Sequence, residues 1–158
     1  MLLAYSWSVI TKKGLLGFTL MEFVATLALL GVTGSFALSH WAQWRERMAL
    51  RTAARQVMLD LFSIRLRAAA TNRSHRIVFS PGSTTYQKQW RPLSTYTNLG
   101  GAVALPAGVR VVSCNASGQA IAFKPRGNAA TFGTVVLRNG FGEEKHIIVD
   151  IAGRVRLQ

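Results

Sequence analysis

Nineteen basic side chains against six acidic ones give this 158-residue chain a net charge of +13, and 49% of it is apolar. The length allows one domain of ordinary size, and a single cysteine excludes an internal disulfide framework and a cysteine-built metal site. The charge speaks to partners rather than to fold, and anionic polymers and anionic lipid headgroups are the natural ones.

The first predicted element is the apolar run at residues 18–38, FTLMEFVATLALLGVTGSFAL, approached through Lys12 and Lys13. At about 1.5 Å per residue a helix of this length spans a hydrocarbon core of about 30 Å. Its one charge, Glu22, is costly at membrane depth and is therefore a candidate functional residue. Thr26, Thr33 and Ser35 can bond back to the helix, while Gly31 and Gly34 loosen it and allow close approach of neighbouring helices.

From His40 the pattern turns amphipathic, with Trp41, Trp44, Met48, Leu50, Ala54, Val57, Leu61, Ile64 and Ala68 at helical spacing. The two tryptophans suit a membrane–water boundary. The spacing predicts one helix from residue 18 to about 70, stopped by the turn-favouring residues 72–74. Arg45, Arg47, Arg51 and Arg55 follow the apolar run, so a topology taken from charge alone would put this end in the cytoplasm.

Beyond the helix the period becomes two. Strands are predicted at residues 76–79, 85–90, 109–114, 120–124, 133–138 and 146–151, with short ones at 103–105 and 154–157. Turns fall at 80–83, 117–118, 125–128 and 139–140, the last in a loop that runs on through Phe141-Gly142-Glu143, and residues 91–108 form an irregular connection. Short strands separated by turns argue antiparallel sheets, one face of which the helix must cover.

Catalysis is not expected. His40, His75 and His146 do not have metal-ligand spacing. Asp60 and Asp150 lack an evident partner, Cys114 has no histidine near it in sequence, and Pro81-Gly82 and Gly100-Gly101 lack the Lys-Ser/Thr of a phosphate loop. No cofactor, metal or small-molecule substrate is implied.

The junction Lys13-Gly14-Leu15-Leu16-Gly17-Phe18-Thr19-Leu20-Met21-Glu22 resembles the leader junction of type IV prepilins and pseudopilins. One departure is Phe23, where leucine is usual in that family. The second half resembles the minor pseudopilins of the GspH/FimT type. The resemblance is carried by the helix end DLFSIRLRAAATNRSHRIVF, the turn AIAFKPRGNA, the segment GTVVLRNG and the tail HIIVDIAGRVRLQ. It implies an α+β, pilin-like fold with a long N-terminal helix, transmembrane in its first half, packed on a small antiparallel β-sheet domain. The implied segments are a leader at 1–17, a membrane half at 18–39, an amphipathic half at 40–72 and a globular domain at 73–158.

It also implies a processing site at Gly17 and Phe18, cut on the cytoplasmic side by a prepilin peptidase that methylates the new amine. Loss of the leader would leave 17 basic and 6 acidic residues, a charge of +11. Glu22 would neutralise that amine, or set helix register, during assembly with other major and minor pilins or pseudopilins. The chain would sit in inner-membrane lipid as a single-pass protein, with its globular domain in the periplasm.

In the DNA-uptake members of the family the Gly-Arg-x-Arg tail, here Gly153-Arg154-Val155-Arg156, is regarded as part of a DNA-binding surface. On a strand Arg154 and Arg156 point to one side and Val155 into the core, so two guanidinium groups can meet successive phosphates. Arg126 and Lys124 in a turn, with Arg138, Lys145, His146, Lys88 and Arg91, are candidates for the same surface. Trp90, Tyr96 and Phe141 are candidates for base stacking. The implied role is a minor pilin of a type IV pilus that contacts DNA during uptake. The alternative is a structural pseudopilin of a type II secretion system with no nucleic-acid role.

Overall fold

The structure is a computed structural model that describes residues 19–158, with side chains described outside residues 36–40. The expected leader at 1–17 and the expected processing site at Gly17 and Phe18 lie outside the described residues. The chain divides into two compact units, residues up to 39 and residues 40–158.

Helix α1, Leu20–Thr71, opens on a capped first turn. The Thr19 Oγ1 accepts from the Glu22 N–H at 3.2 Å, which places Glu22 at the third helical position, where its charge complements the helix dipole. Thr26, Thr33 and Ser35 each donate their hydroxyl to a carbonyl three or four residues back, as their position in an apolar run requires. Among the described residues no helix is long and apolar enough to cross a membrane. The run read as a crossing, residues 18–38, extends beyond the described side chains at both ends.

In the second unit the buried stripe of α1 is Leu50, Ala53, Ala54, Val57, Leu61, Ile64 and Ala68, at steps of three and four. Trp41 and Trp44 are not part of it. They stand exposed, with ring centroids 5.6 Å apart, so the packing face begins later than the sequence periodicity predicts. The helix ends where Asn72 takes a left-handed conformation (φ 51°) and the Arg73 N–H reaches back to the Ala68 carbonyl. Such an asparagine cap is the expected stop.

Two antiparallel sheets follow. The first has the order β3 (Thr97–Asn98), β2 (Thr85–Trp90), β1 (His75–Phe79), β6 (Ala120–Phe123) and β7 (Ala129–Thr131), with β4 (Val103–Ala104) also pairing to β2. The second has the order β10 (Val155–Leu157), β9 (Glu144–Val149), β8 (Gly133–Arg138) and β5 (Arg110–Cys114). Phe79, Tyr86, Ile121 and Phe123 from the first join Val111, Leu137, Ile147 and Val149 from the second in one core with the helix stripe. Cys114 is buried at the end of β5, and burial pushes its thiol above the ordinary range.

Strands β3 and β7 are additions to the sequence reading, and β9 starts two residues early. The loop that opens at Asn139-Gly140 runs on through Phe141, Gly142 and Glu143, as the sequence reading expects. Asn139 is buried, and its Oδ1 accepts from the N–H groups of Phe141 and Glu143, so residues 139–143 form a longer loop. The hairpin then closes on the pair Arg138 and Glu144.

Candidate nucleic-acid interface

The tail forms from a tight turn. The Gly153 N–H donates to the Asp150 carbonyl at 2.9 Å, and Gly153 has φ 78°. A methyl group on Gly153 would stand 2.5 Å from the Gly127 carbonyl oxygen, so the position needs glycine both for conformation and for space. Strand β10 then pairs with β9, Val155 opposite Val149 and Arg156 opposite Ile148. Val155 packs on the core while Arg154 and Arg156 are exposed, which is the predicted alternation.

Both arginines converge on a carboxylate that the sequence reading left without a partner. Asp150 Oδ2 lies 2.8 Å from Arg154 Nε and 3.5 Å from an Arg156 terminal nitrogen. Asp150 Oδ1 accepts from the Arg154 backbone N–H, and this bond, ahead of the side-chain contacts, holds the carboxyl below its ordinary range. The tail is therefore two guanidinium groups arranged around one acid. The spacing Asp-x-x-Gly-Arg, an acid opening a glycine turn that returns on a cation, was the available signal.

The turn 125–128 lies beside the tail. The Ala129 N–H donates to the Ile151 carbonyl at 3.2 Å. Arg65, on the last turns of α1, donates from Nε to the Gly127 carbonyl, and its terminal nitrogen is 3.4 Å from the Ala152 carbonyl. One helix side chain thus joins the two turns whose sequences carry Arg126 and Arg154. Lys124 and Arg126 project from this turn as exposed side chains, and among the described residues no carboxylate pairs with either.

The other candidates are dispersed. Arg138 is bound through two nitrogens to Glu144. Lys88 is 2.7 Å from Asp60, which also accepts the Tyr86 hydroxyl at 2.5 Å. Lys145 occupies the row of β9 that carries Ile147 and Val149, five residues before Asp150 and so about 16 Å along the strand. It lines a cleft with Arg47 and Arg51, on the face of β9 opposite to that of Ile148, the residue Arg156 pairs with. His146 lies 3.6 Å from Glu144, and Phe141 is exposed in the 139–143 loop.

Arg91 lies at the end of the first hairpin, near Tyr96. Neither Tyr96 nor Trp90 is a bare stacking platform. Arg76 covers the Tyr96 ring at 3.8 Å, and Trp90 stacks with His75 beneath Arg73. Arg65, Arg73 and Arg76 were not among the predicted site residues. Their partners lie in turns, in the first hairpin and in the connection after it, at separations that one-dimensional spacing does not mark. Among the described residues no group of histidine, cysteine and carboxylates is placed to hold a metal ion.

The sequence model of the family described as type II transport protein GspH matches residues 53–153, well over half of the chain. The chain belongs to the GspH family. The match runs from the buried helix stripe to Gly153, so it includes Arg65 and both turns that Arg65 joins. A sequence search of curated proteins gives no match.

Among solved structures, the GspH-family chain is similar to the minor pseudopilin EpsH from the type 2 secretion system of Vibrio cholerae, at a TM-score of 0.57 and 9% identity. That likeness covers 69% of this chain and 94% of EpsH. It is also similar to the type IV minor pilin FimU of Pseudomonas aeruginosa, at a TM-score of 0.57 and 17% identity, over 73% of this chain and 92% of FimU. These likenesses show a pilin fold, a helix packed on antiparallel sheet.

Proposed function

We propose that this GspH-family chain is a minor pilin of a type IV pilus system, held in the inner membrane by residues 18–38 before assembly, and that its globular part contacts DNA. The observation that carries the reading is the juxtaposition of Arg126 and Lys124 with Arg154 and Arg156 through the turns that Arg65 holds together. Such a cluster binds phosphates irrespective of sequence, with affinity that falls steeply as salt rises. Processing between Gly17 and Phe18, and neutralisation of the new amine by Glu22, belong to the same reading.

Partner subunits also have a surface to meet. Leu59, Phe62 and Leu66 stand exposed on α1 at steps of three and four, a stripe suited to packing against a neighbouring pilin. The second reading, a structural pseudopilin of a type II secretion system, is favoured by the likeness to EpsH and by the neutralising position of Asp150.

The test is binding of labelled duplex DNA by the whole chain in a neutral detergent across a salt series. The type IV reading expects micromolar affinity at low salt, weakened by salt and by Arg154→Ala/Arg156→Ala. Absence of binding at low salt would leave the secretion pseudopilin as the better account.

A further inference from the structure

We infer that the groove at the C-terminal end of α1 is a second phosphodiester-binding site, distinct from the tail, and that it holds the backbone of a nucleic-acid strand. The inference rests on the DNA-contact reading above and deepens it. The groove has a volume of about 460 Å³, within the range of about 300–1,000 Å³ common to ligand sites. Asn72, Arg73, Ser74, Arg91, Tyr96 and Lys124 are among the residues that line it, and no acidic residue does.

The acids of the globular part are engaged elsewhere. Asp60 meets Lys88, Glu143 meets Arg47, Glu144 meets Arg138, and Asp150 meets the tail. Glu46 faces Gly108 and Gly140. Among the described residues, Arg73, Arg91 and Lys124 therefore have no carboxylate partner. A concavity that gathers three such cations and excludes every acid is a place where a polyanion gains the most from displacing counterions.

The guanidinium groups are also held in place. Arg73 donates to the Pro92 carbonyl at 2.7 Å and lies over the Trp90 ring, with 5.4 Å to its centroid. Arg91 lies over Tyr96 at 5.6 Å, and Arg76 covers the same ring at 3.8 Å. Stacking fixes a planar guanidinium while leaving its edge donors free for phosphate oxygens. The aromatic residues thus serve here to set arginines rather than to receive bases, which makes the site a reader of backbone and not of sequence. Lys124 borders the groove and precedes Arg126, so a strand leaving the groove meets the turn and then the tail.

The experiment measures fluorescence anisotropy of a labelled twelve-nucleotide oligothymidylate with the whole chain in neutral detergent, against salt concentration. Arg73→Gln/Arg91→Gln is compared with Arg154→Gln/Arg156→Gln and with the charge-retaining pair Arg73→Lys/Arg91→Lys. The groove pair is expected to weaken binding about tenfold at low salt and to flatten the slope of log affinity against log salt by about 1.4, two phosphate contacts at about 0.7 each for single strands. The lysine pair is expected to recover most of the binding, and Arg91→Gln alone, at an exposed position, to show a smaller loss in a chain with unchanged melting temperature. Unchanged affinity and slope in the groove pair, with loss in the tail pair, overturns the groove and leaves the tail reading intact. Failure of the unaltered chain to bind any oligonucleotide at low salt overturns both.

Discussion

Arg65 and Gly127, 62 residues apart in sequence, are joined by a 2.7 Å hydrogen bond from the arginine Nε to the glycine carbonyl. The same carbonyl oxygen is what a side chain on Gly153 would strike. Helix end, basic turn and tail turn thus meet at one peptide group. Hydrogen bonds from a charged donor contribute about 1.5–3 kcal/mol, so Arg65→Ala is expected to lower unfolding free energy by about that amount. Urea unfolding followed by circular dichroism measures it. Arg65→Lys should recover only part, because an ammonium cannot reproduce the fork that reaches both the Gly127 and Ala152 carbonyls.

Asp150 sets how much charge the tail presents. Asp150→Asn keeps an oxygen for the Arg154 N–H but removes the negative charge beside Arg154 and Arg156. Affinity for duplex DNA at low salt should rise several-fold, with a steeper salt dependence, as read by anisotropy. The pH dependence has a definite sign. The folded carboxyl is held below its ordinary value, so its stabilising contribution is complete above the unfolded value of about 3.9 and is lost as pH falls through the folded one. The stability difference between the parent and Asp150→Asn should therefore be flat from pH 7 to about 4 and vanish in stronger acid.

Tyr86 offers the opposite limb. Its hydroxyl is buried, donates to Asp60 Oδ2 at 2.5 Å and accepts from Gln56 Nε2 at 3.3 Å. Burial first, then the Asp60 hydrogen bond, raise its pKa above the ordinary tyrosine value. Because the folded value is the higher one, its contribution is complete below the unfolded value of about 10 and is lost as pH rises above it. Tyr86→Phe should cost about 1–2 kcal/mol at neutral pH and remove part of the alkaline decline. Tyrosinate absorbance should show one tyrosine that ionises only as the protein unfolds.

Much of the architecture was legible. The stop at Asn72, the strand at residues 85–90 and the alternation of Arg154, Val155 and Arg156 follow from local chemistry, since each depends on neighbours within a few residues. Trp41 and Trp44 misled because helical spacing says which residues share a face, not where a partner begins to cover it. Strands β3 and β7 were missed because two or three residues carry no period. The candidate site was read in its exposed cations, and Asp150 was signalled by the Asp-x-x-Gly-Arg spacing. Arg65 and the pairs that occupy Lys88 and Arg138 depend on partners that only the fold brings near, and so does the separation of Lys145 from the tail.

Two proposed roles of Glu22 are separable. Its N–H is capped by Thr19, and its charge lies in the first turn of α1. Glu22→Gln keeps the length and hydrogen-bonding capacity of the side chain but not the charge. If the carboxylate neutralises the mature amine, the glutamine variant should be cleaved normally and fail to enter filaments, as scored by immunoblot of sheared surface fractions. Normal assembly would assign the residue to helix initiation alone.

The solitary sulfhydryl at the edge of the second sheet has a practical corollary. Cys114 is buried at 9% exposure and its thiolate is disfavoured, so alkylation is slow while β5 stays paired with β8 and quickens when that margin opens. The rate of modification is therefore a native readout of how often that margin opens, with no reporter to be engineered. It can be followed while the chain stands alone and again while it is held among neighbours.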